Sequence, residues 1–387
     1  MKKVIVFLAI AGLTTMFTFG QRVENRSVSA QQTNPFTDPS GVTSTSAQEQ
    51  PIMDKPKVDK RVELFTIAIR LAGGEDNTYH SYTNKIDEYF KPYKNHELIL
   101  FIKEIVEKRG FQFDVFGMTV HIDENLNLLV EPDKVPHISW DKEEVEKFVK
   151  LLKQFYQDTN CEEFFKNNEN LYKEASKRFL PIYEALDLSW YSSFYGKELE
   201  EDFFIINALA LGGSNYGTSL NIPNQKKKVY AIMGTWRVDS LEVEMPLFIK
   251  EEYFPTLIHE FNHSFCNNLI IRNEEAFKNS GEIMFEKVKT EMAPQGYDNW
   301  RTVLMEALVR AAVIKYMKDH NFAENEIEAE INHQIERKFL WIRELVEELE
   351  NYDRQRDKYP TLESYMPNII EAYKIWAEKI QTKTLNE

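Results

Sequence analysis

The chain has 387 residues, 43% hydrophobic and 13% aromatic, which is ample for one large core and too apolar for a disordered protein. Its 47 Lys and Arg stand against 62 Asp and Glu, a formal charge of −15. That balance excludes nucleic acid and anionic membrane surfaces as natural main partners, and says nothing about the local field of a cleft.

Residues 1–20, "MKKVIVFLAIAGLTTMFTFG", place Lys2 and Lys3 before an apolar run from Val4 to Phe19, with small Thr18 and Gly20 at its end. This is the layout of a secretory signal peptide cleaved before Gln21, so export is expected, to the periplasm or beyond. A membrane anchor is the competing reading. The run is short for a span, no Cys follows it to take lipid, and no later segment reaches spanning length, so no stable membrane insertion is expected after cleavage. Residues 21–56 are rich in Ser, Thr, Gln and Pro and read as a disordered linker, either a spacer or a removable pro-segment.

Residues 57–387 read as one folded domain, with a helical part over 57–200 and strands plus helices over 201–387. "DKRVELFTIAIRLAGG" predicts a helix ended by Gly73 and Gly74, and helical spacing recurs over 84–109 and 141–177. Between them, 111–123 alternates like a strand. "EDFFIINALALGGSNYGTSL" (201–220) is an apolar run entering a glycine-rich turn, and "KKKVYAIMGTW" (226–236) reads as a strand able to pair with it. From 251 onward the pattern is helical, which gives an α+β class, mostly helical with a small mixed or antiparallel sheet. Cys161 and Cys266 allow one disulfide or two free buried thiols. No pattern sets an oligomeric state.

The stretch "TLIHEFNHSF" (256–265) carries the chemistry. His259 and His263 are four apart and share one helical face, so both imidazoles can address one ion. Zinc suits imidazole nitrogen, and Glu260, beside the first histidine, is placed as general base towards water. From 253 to 271 Glu260 is the sole charged side chain, so the helix is expected to be buried and its polar groups to need internal partners. Pro255 is expected at the start of that helix.

This His-Glu-x-x-His pattern resembles the zincin metallopeptidases. More loosely, "RLAGG" and "GGSNYG" make the folded body similar to an exported bacterial family of unknown function, whose membership would imply a zincin-like peptidase domain without naming a substrate. The resemblance implies three protein ligands and an open position for water. The branch with a third His at the tenth position after the first is excluded, because that position is Leu269. Cys266 lies about 10.5 Å from His259 along a helix axis, too far to share an ion, and reads as a core thiol. The thermolysin-like branch takes a Glu from a later helix. Among Glu274, Glu275, Glu282 and Glu306, the last is the sole charge between Thr302 and Val309, and a carboxylate in an apolar stripe needs a metal or a partner. Glu306 is therefore the expected third ligand, the rival being an ion pair with Arg310 four residues on. Arg310 could also support the ligand from behind.

Asn215 and Tyr216 could line an edge strand and hydrogen-bond substrate or oxyanion, or could simply belong to a hairpin turn. Tyr297 is a further candidate donor. His80, His96, His121, His137, His320 and His333 show no metal-like spacing. The expectation is an exported peptidase with one zinc ion per chain acting on a peptide or protein. The alternative is a zincin-fold metal-binding or interaction protein without turnover.

Overall fold

The computed structural model describes residues 52–74, 79–109, 118–135, 140–239 and 244–384. The expected signal peptide and nearly all of the linker lie outside these residues. Helix α1 (Lys60–Leu71) starts at Asp59, whose side chain accepts from the Arg61 N–H, and stops before Gly73 at φ +108°. The helix predicted over 84–109 is two: α2 (His80–Phe90) and α3 (Glu97–Arg109), separated by a 3-10 turn at Lys91–Tyr93 that contains Pro92. The one predicted over 141–177 is three, α4 (Lys142–Asp158), α5 (Cys161–Asn167) and α6 (Glu169–Tyr183), broken at Asn160, which turns left-handed at φ 48°, and again at Asn168, which leaves helical geometry at φ −105° and ψ 7°. Helix α7 (Ser189–Tyr195) follows. The strand expected over 111–123 falls partly outside the described residues. Within them, 118–121 make a helical turn and Ile122 makes a single bridge to Leu128.

Three strands form the sheet, β1 (Asp202–Ala208), β2 (Asn215–Leu220) and β3 (Lys228–Gly234), in the order β1-β3-β2. β3 runs parallel to β1 and antiparallel to β2. Alternation along each strand feeds two cores. Phe203, Ile205, Val229, Ala231 and Met233 face the C-terminal helices, while Ile206, Ala208, Leu220, Tyr230 and Ile232 face the N-terminal ones. The last residues of the expected linker run along β1, with Asp54 N–H donating to Phe203 O at 3.0 Å and Phe203 N–H to Ile52 O at 2.8 Å. Hence β1 has a covered outer edge. Among the described residues no strand covers the outer edge of β2.

The C-terminal half is helical: α8 (Lys250–Arg272), α9 (Glu274–Met292), α10 (Trp300–Asp319), α11 (Glu324–Glu336), α12 (Ile342–Arg354) and α13 (Leu362–Thr384). Helix α8 lies between the β2–β3 face and α10. Its burial all round explains its shortage of charge. Pro255 sits inside this helix instead of at its start, at the cost of one backbone hydrogen bond. The fold is α+β, and no described helix is long and apolar enough to cross a membrane. Cys161 and Cys266 are free thiols in different cores, one on each side of the sheet.

Candidate metal centre

Helix α8 presents His259 and His263 one turn apart, and their Nε2 atoms stand 3.1 Å from each other. Across the helix interface α10 brings Glu306 between them. One of its oxygens lies 3.5 Å from His259 Nε2 and the other 3.5 Å from His263 Nε2. Ligands about 2.1 Å from a tetrahedral ion stand roughly 3.4 Å apart, so these three separations match one small ion. Ligand atoms of His259, Glu260 and His263 also lie within 4.8 Å of one another, with Glu260 Oε2 3.9 Å from His263 Nε2. Four metal-compatible side chains therefore converge, from two helices.

The protonation states suit a cation. Burial, and then the positive charge of Arg310, hold the His259 imidazole well below its usual range, so its lone pair is free. Burial alone would raise Glu306, but His263, Arg310 and Arg337 outweigh it and keep the carboxyl below the ordinary value. Glu260 behaves oppositely. Burial, and then the charge of Glu306, push it well above the usual carboxylate range, against smaller lowerings by Arg310 and then by the Gly217 backbone N–H. Two imidazoles and an ionised carboxylate make a donor set for a divalent ion, with a second carboxyl beside it.

Behind this set stands a second layer. His263 Nδ1 lies 3.3 Å from Asn267 Oδ1, one turn along α8. Arg310 donates to Glu306 at 2.9 Å, to the Tyr297 hydroxyl at 3.0 Å and to Gln334 at 3.1 Å. The Tyr297 hydroxyl is 3.4 Å from the same Glu306 oxygen. The Glu306 carboxylate thus reaches both histidines and pairs with Arg310 at once. Tyr297 is part of this brace. Glu274, by contrast, pairs with Arg301, and Glu275 and Glu282 are exposed, away from the histidines.

β2 forms the wall beside Glu260. A side chain at Gly217 would place its Cβ 1.9 Å from the Glu260 carbonyl oxygen and 2.9 Å from His263 Cβ, so only glycine allows this approach. Asn215 spends both ends of its amide on the adjoining turn, accepting from Gly234 N–H at 2.9 Å and donating to Gly213 O at 3.1 Å. It shapes the entry to β2. Tyr216 pairs in register with Ile232 and packs with the N-terminal core, and its hydroxyl still feels the charge of Glu260. Gly217, Asn267, Gln334 and Arg337 are the site residues missed in the sequence. The i,i+4 spacing of His263 and Asn267 was a readable signal, whereas nothing local marks Arg337 in "IERKFL".

Residues 57–372 match the family described as Domain of unknown function (DUF4932). The chain belongs to that family. No curated protein and no solved structure matches it. The DUF4932 match runs from just before α1 into α13 and so includes the sheet and every residue of the metal centre.

Proposed function

We propose that this DUF4932 protein is a zincin-type, zinc-dependent peptidase, exported by virtue of its N-terminal sequence. The observation that supports this most directly is the Glu306 carboxylate, 3.5 Å from each of two facing imidazoles, with Glu260 on the same helix turn. His259, His263 and Glu306 would hold the ion. Zinc, when bound there, supplies a Lewis acid that acidifies water and polarises a carbonyl oxygen.

The chain's own groups do the rest. Glu260 takes a proton from the attacking water and passes it to the leaving amine. Its raised affinity for protons suits a group that must accept one near neutrality. Arg310 and Tyr297 keep Glu306 ionised and fixed in orientation. The uncovered edge of β2 offers backbone N–H and C=O groups to an extended peptide beside Glu260.

The deciding experiment is elemental analysis of the purified chain beside Glu306→Ala, coupled to a peptide-library digest. About one zinc per wild-type chain, much less in the variant, and cleavage abolished by chelator and restored by zinc are expected. Bound zinc without cleavage of any peptide would favour a metal-binding protein without turnover. No zinc in either chain would remove the enzyme reading altogether.

A further inference from the structure

Arg337, at the end of α11, stands out among the arginines. Among the described residues every other arginine that is buried or half-buried has an acidic side chain within 4.0 Å: Arg61, Arg70, Arg178, Arg301, Arg310, Arg343 and Arg356. Arg337 is half-buried and has none. It is nonetheless held firmly. Its Nε donates to Gln295 Oε1 at 3.3 Å, its carbonyl accepts from Gln295 Nε2 at 3.1 Å, and its Nη2 reaches the Tyr297 hydroxyl at 3.5 Å. Among the described residues Nη1 makes no hydrogen bond, so one edge of the planar fork is available.

Its position ties it to the reacting end of the site. Three successive contacts, of 3.5, 3.4 and 3.5 Å, lead from Arg337 through Tyr297 and Glu306 to His259 Nε2. A peptide residue spans about 3.4 Å when extended, so no more than about three residues separate the ion position from this guanidinium. The charge count points the same way. Arg310 pairs directly with Glu306, whereas Arg337 feels that one carboxylate only from beyond ion-pair distance. Burial and the neighbouring Arg310 oppose its charge where it stands. A bound divalent cation would deepen this local positive excess in a chain whose overall charge is −15. A half-buried, oriented and unneutralised guanidinium calls for an anion, and the planar fork fits a carboxylate.

We infer that Arg337 is a specificity residue that binds a substrate carboxylate, placed within about three residues of the scissile bond. The inference rests on the peptidase reading of the same centre. The carboxylate has two possible sources, the free C-terminus of a short peptide or an acidic side chain. The first makes the enzyme a trimmer of chain ends, the second a cutter beside Asp or Glu.

Calorimetry distinguishes them, using the full chain with Glu260→Gln, so that peptides persist, and one equivalent of zinc added. Three probes are titrated: acetyl-tetraalanine as the free acid, the same peptide as its amide, and acetyl-Ala-Ala-Glu-Ala amide. At least one carboxylate probe is expected to bind about tenfold or more tighter than the neutral amide. Arg337→Gln, brought to the same zinc loading, should bring the probes to parity while the chain stays folded. Arg337→Met, uncharged and of similar reach, replaces it if the Gln variant does not fold. Advantage of the free acid assigns the terminal carboxylate, and advantage of the Glu amide assigns the side chain. Parity of the three probes with Arg337 intact, a preference that survives its replacement, or no binding of either carboxylate probe overturns the inference. Because binding is read in place of turnover, failure of the peptidase reading shows separately, as absent hydrolysis with Glu260 intact.

Discussion

Glu63 and Glu306 are carboxylates on opposite sides of the same sheet, the first fully buried and the second half-buried, and they stand in opposite surroundings. Glu63, on α1, is fully buried. It accepts from the Tyr82 hydroxyl at 2.7 Å and from the Leu209 N–H at 2.6 Å, with Tyr172 2.8 Å behind Tyr82. No cation is paired with it, and burial raises its carboxyl to about 7. Glu306 is surrounded by imidazole and guanidinium groups that keep it ionised. Neutral donors fully satisfy the first carboxylate and make it a fastening for the loop after β1. The second keeps one oxygen directed at each histidine, which a fastening would not require. Burial alone therefore does not mark a functional carboxylate; the charge of its surroundings does.

The sharpest test of that contrast is Glu260→Gln, which should lower peptide hydrolysis by about 10³-fold or more while leaving zinc content intact. Activity that survives in the zinc-loaded variant would remove Glu260 from the chemistry. On the other side of the sheet the effect is on stability. Glu63 has a folded value of about 7, above its ordinary 4.5, so the native state binds the extra proton. Stability is therefore full below about pH 4.5, falls as pH rises towards 7, and is then flat, a loss of roughly 3 kcal/mol for this group. Denaturant melts across that window, beside Glu63→Gln, should show the slope in the parent and its disappearance in the variant. An unchanged slope would place the titration elsewhere.

Arg310→Ala is expected to weaken zinc binding by about 10- to 100-fold, measured against a chromophoric chelator, because Glu306 loses the group that orients it. Undiminished affinity would reduce the pair to packing. The smallest effect is at the wall between strand and helix. Gly217→Ala should cost about 1–3 kcal/mol in stability, seen as a lower melting temperature, since Cβ and the Glu260 carbonyl cannot share the space. A neutral substitution would mean that β2 can withdraw from α8.

These residues also mark the boundary of what the sequence shows. His259, Glu260 and His263 were legible because their relation is local: one turn of helix, in a stretch stripped of other charge. Glu306 was legible for a different reason, an isolated acid in an apolar run, although its reach to both histidines needs α10 packed against α8. The apolar run at 201–220 and the strand at 226–236 were readable, but not that the first holds two strands, nor the order of the three. β3 enters between two strands that precede it, which no local pattern announces. The helix breaks at Pro92 and Asn160 depend on single residues inside strong periodicity, so longer helices were expected there. Tyr216 was read either as a donor to substrate or as a plain turn residue, and the structure places it in β2 opposite Ile232, packed with the N-terminal core. Arg337 was invisible because its significance lies in an acidic partner it does not have.

The strand order bears on how the molecule is assembled. As the chain leaves the ribosome, β2 emerges before β3, its only ladder partner among the described strands. β2 thus has no ladder until Gly234 is available, and the contact between Gly217 and Glu260 must wait for α8 as well. Glu306 comes 43 residues after His263. The two histidines can meet an ion as soon as one turn of α8 forms, whereas the third ligand and the strand wall arrive only with the finished tertiary structure. If the centre holds a metal as proposed, tight capture should therefore coincide with the last cooperative step of folding, because an incomplete chain offers only part of the donor set.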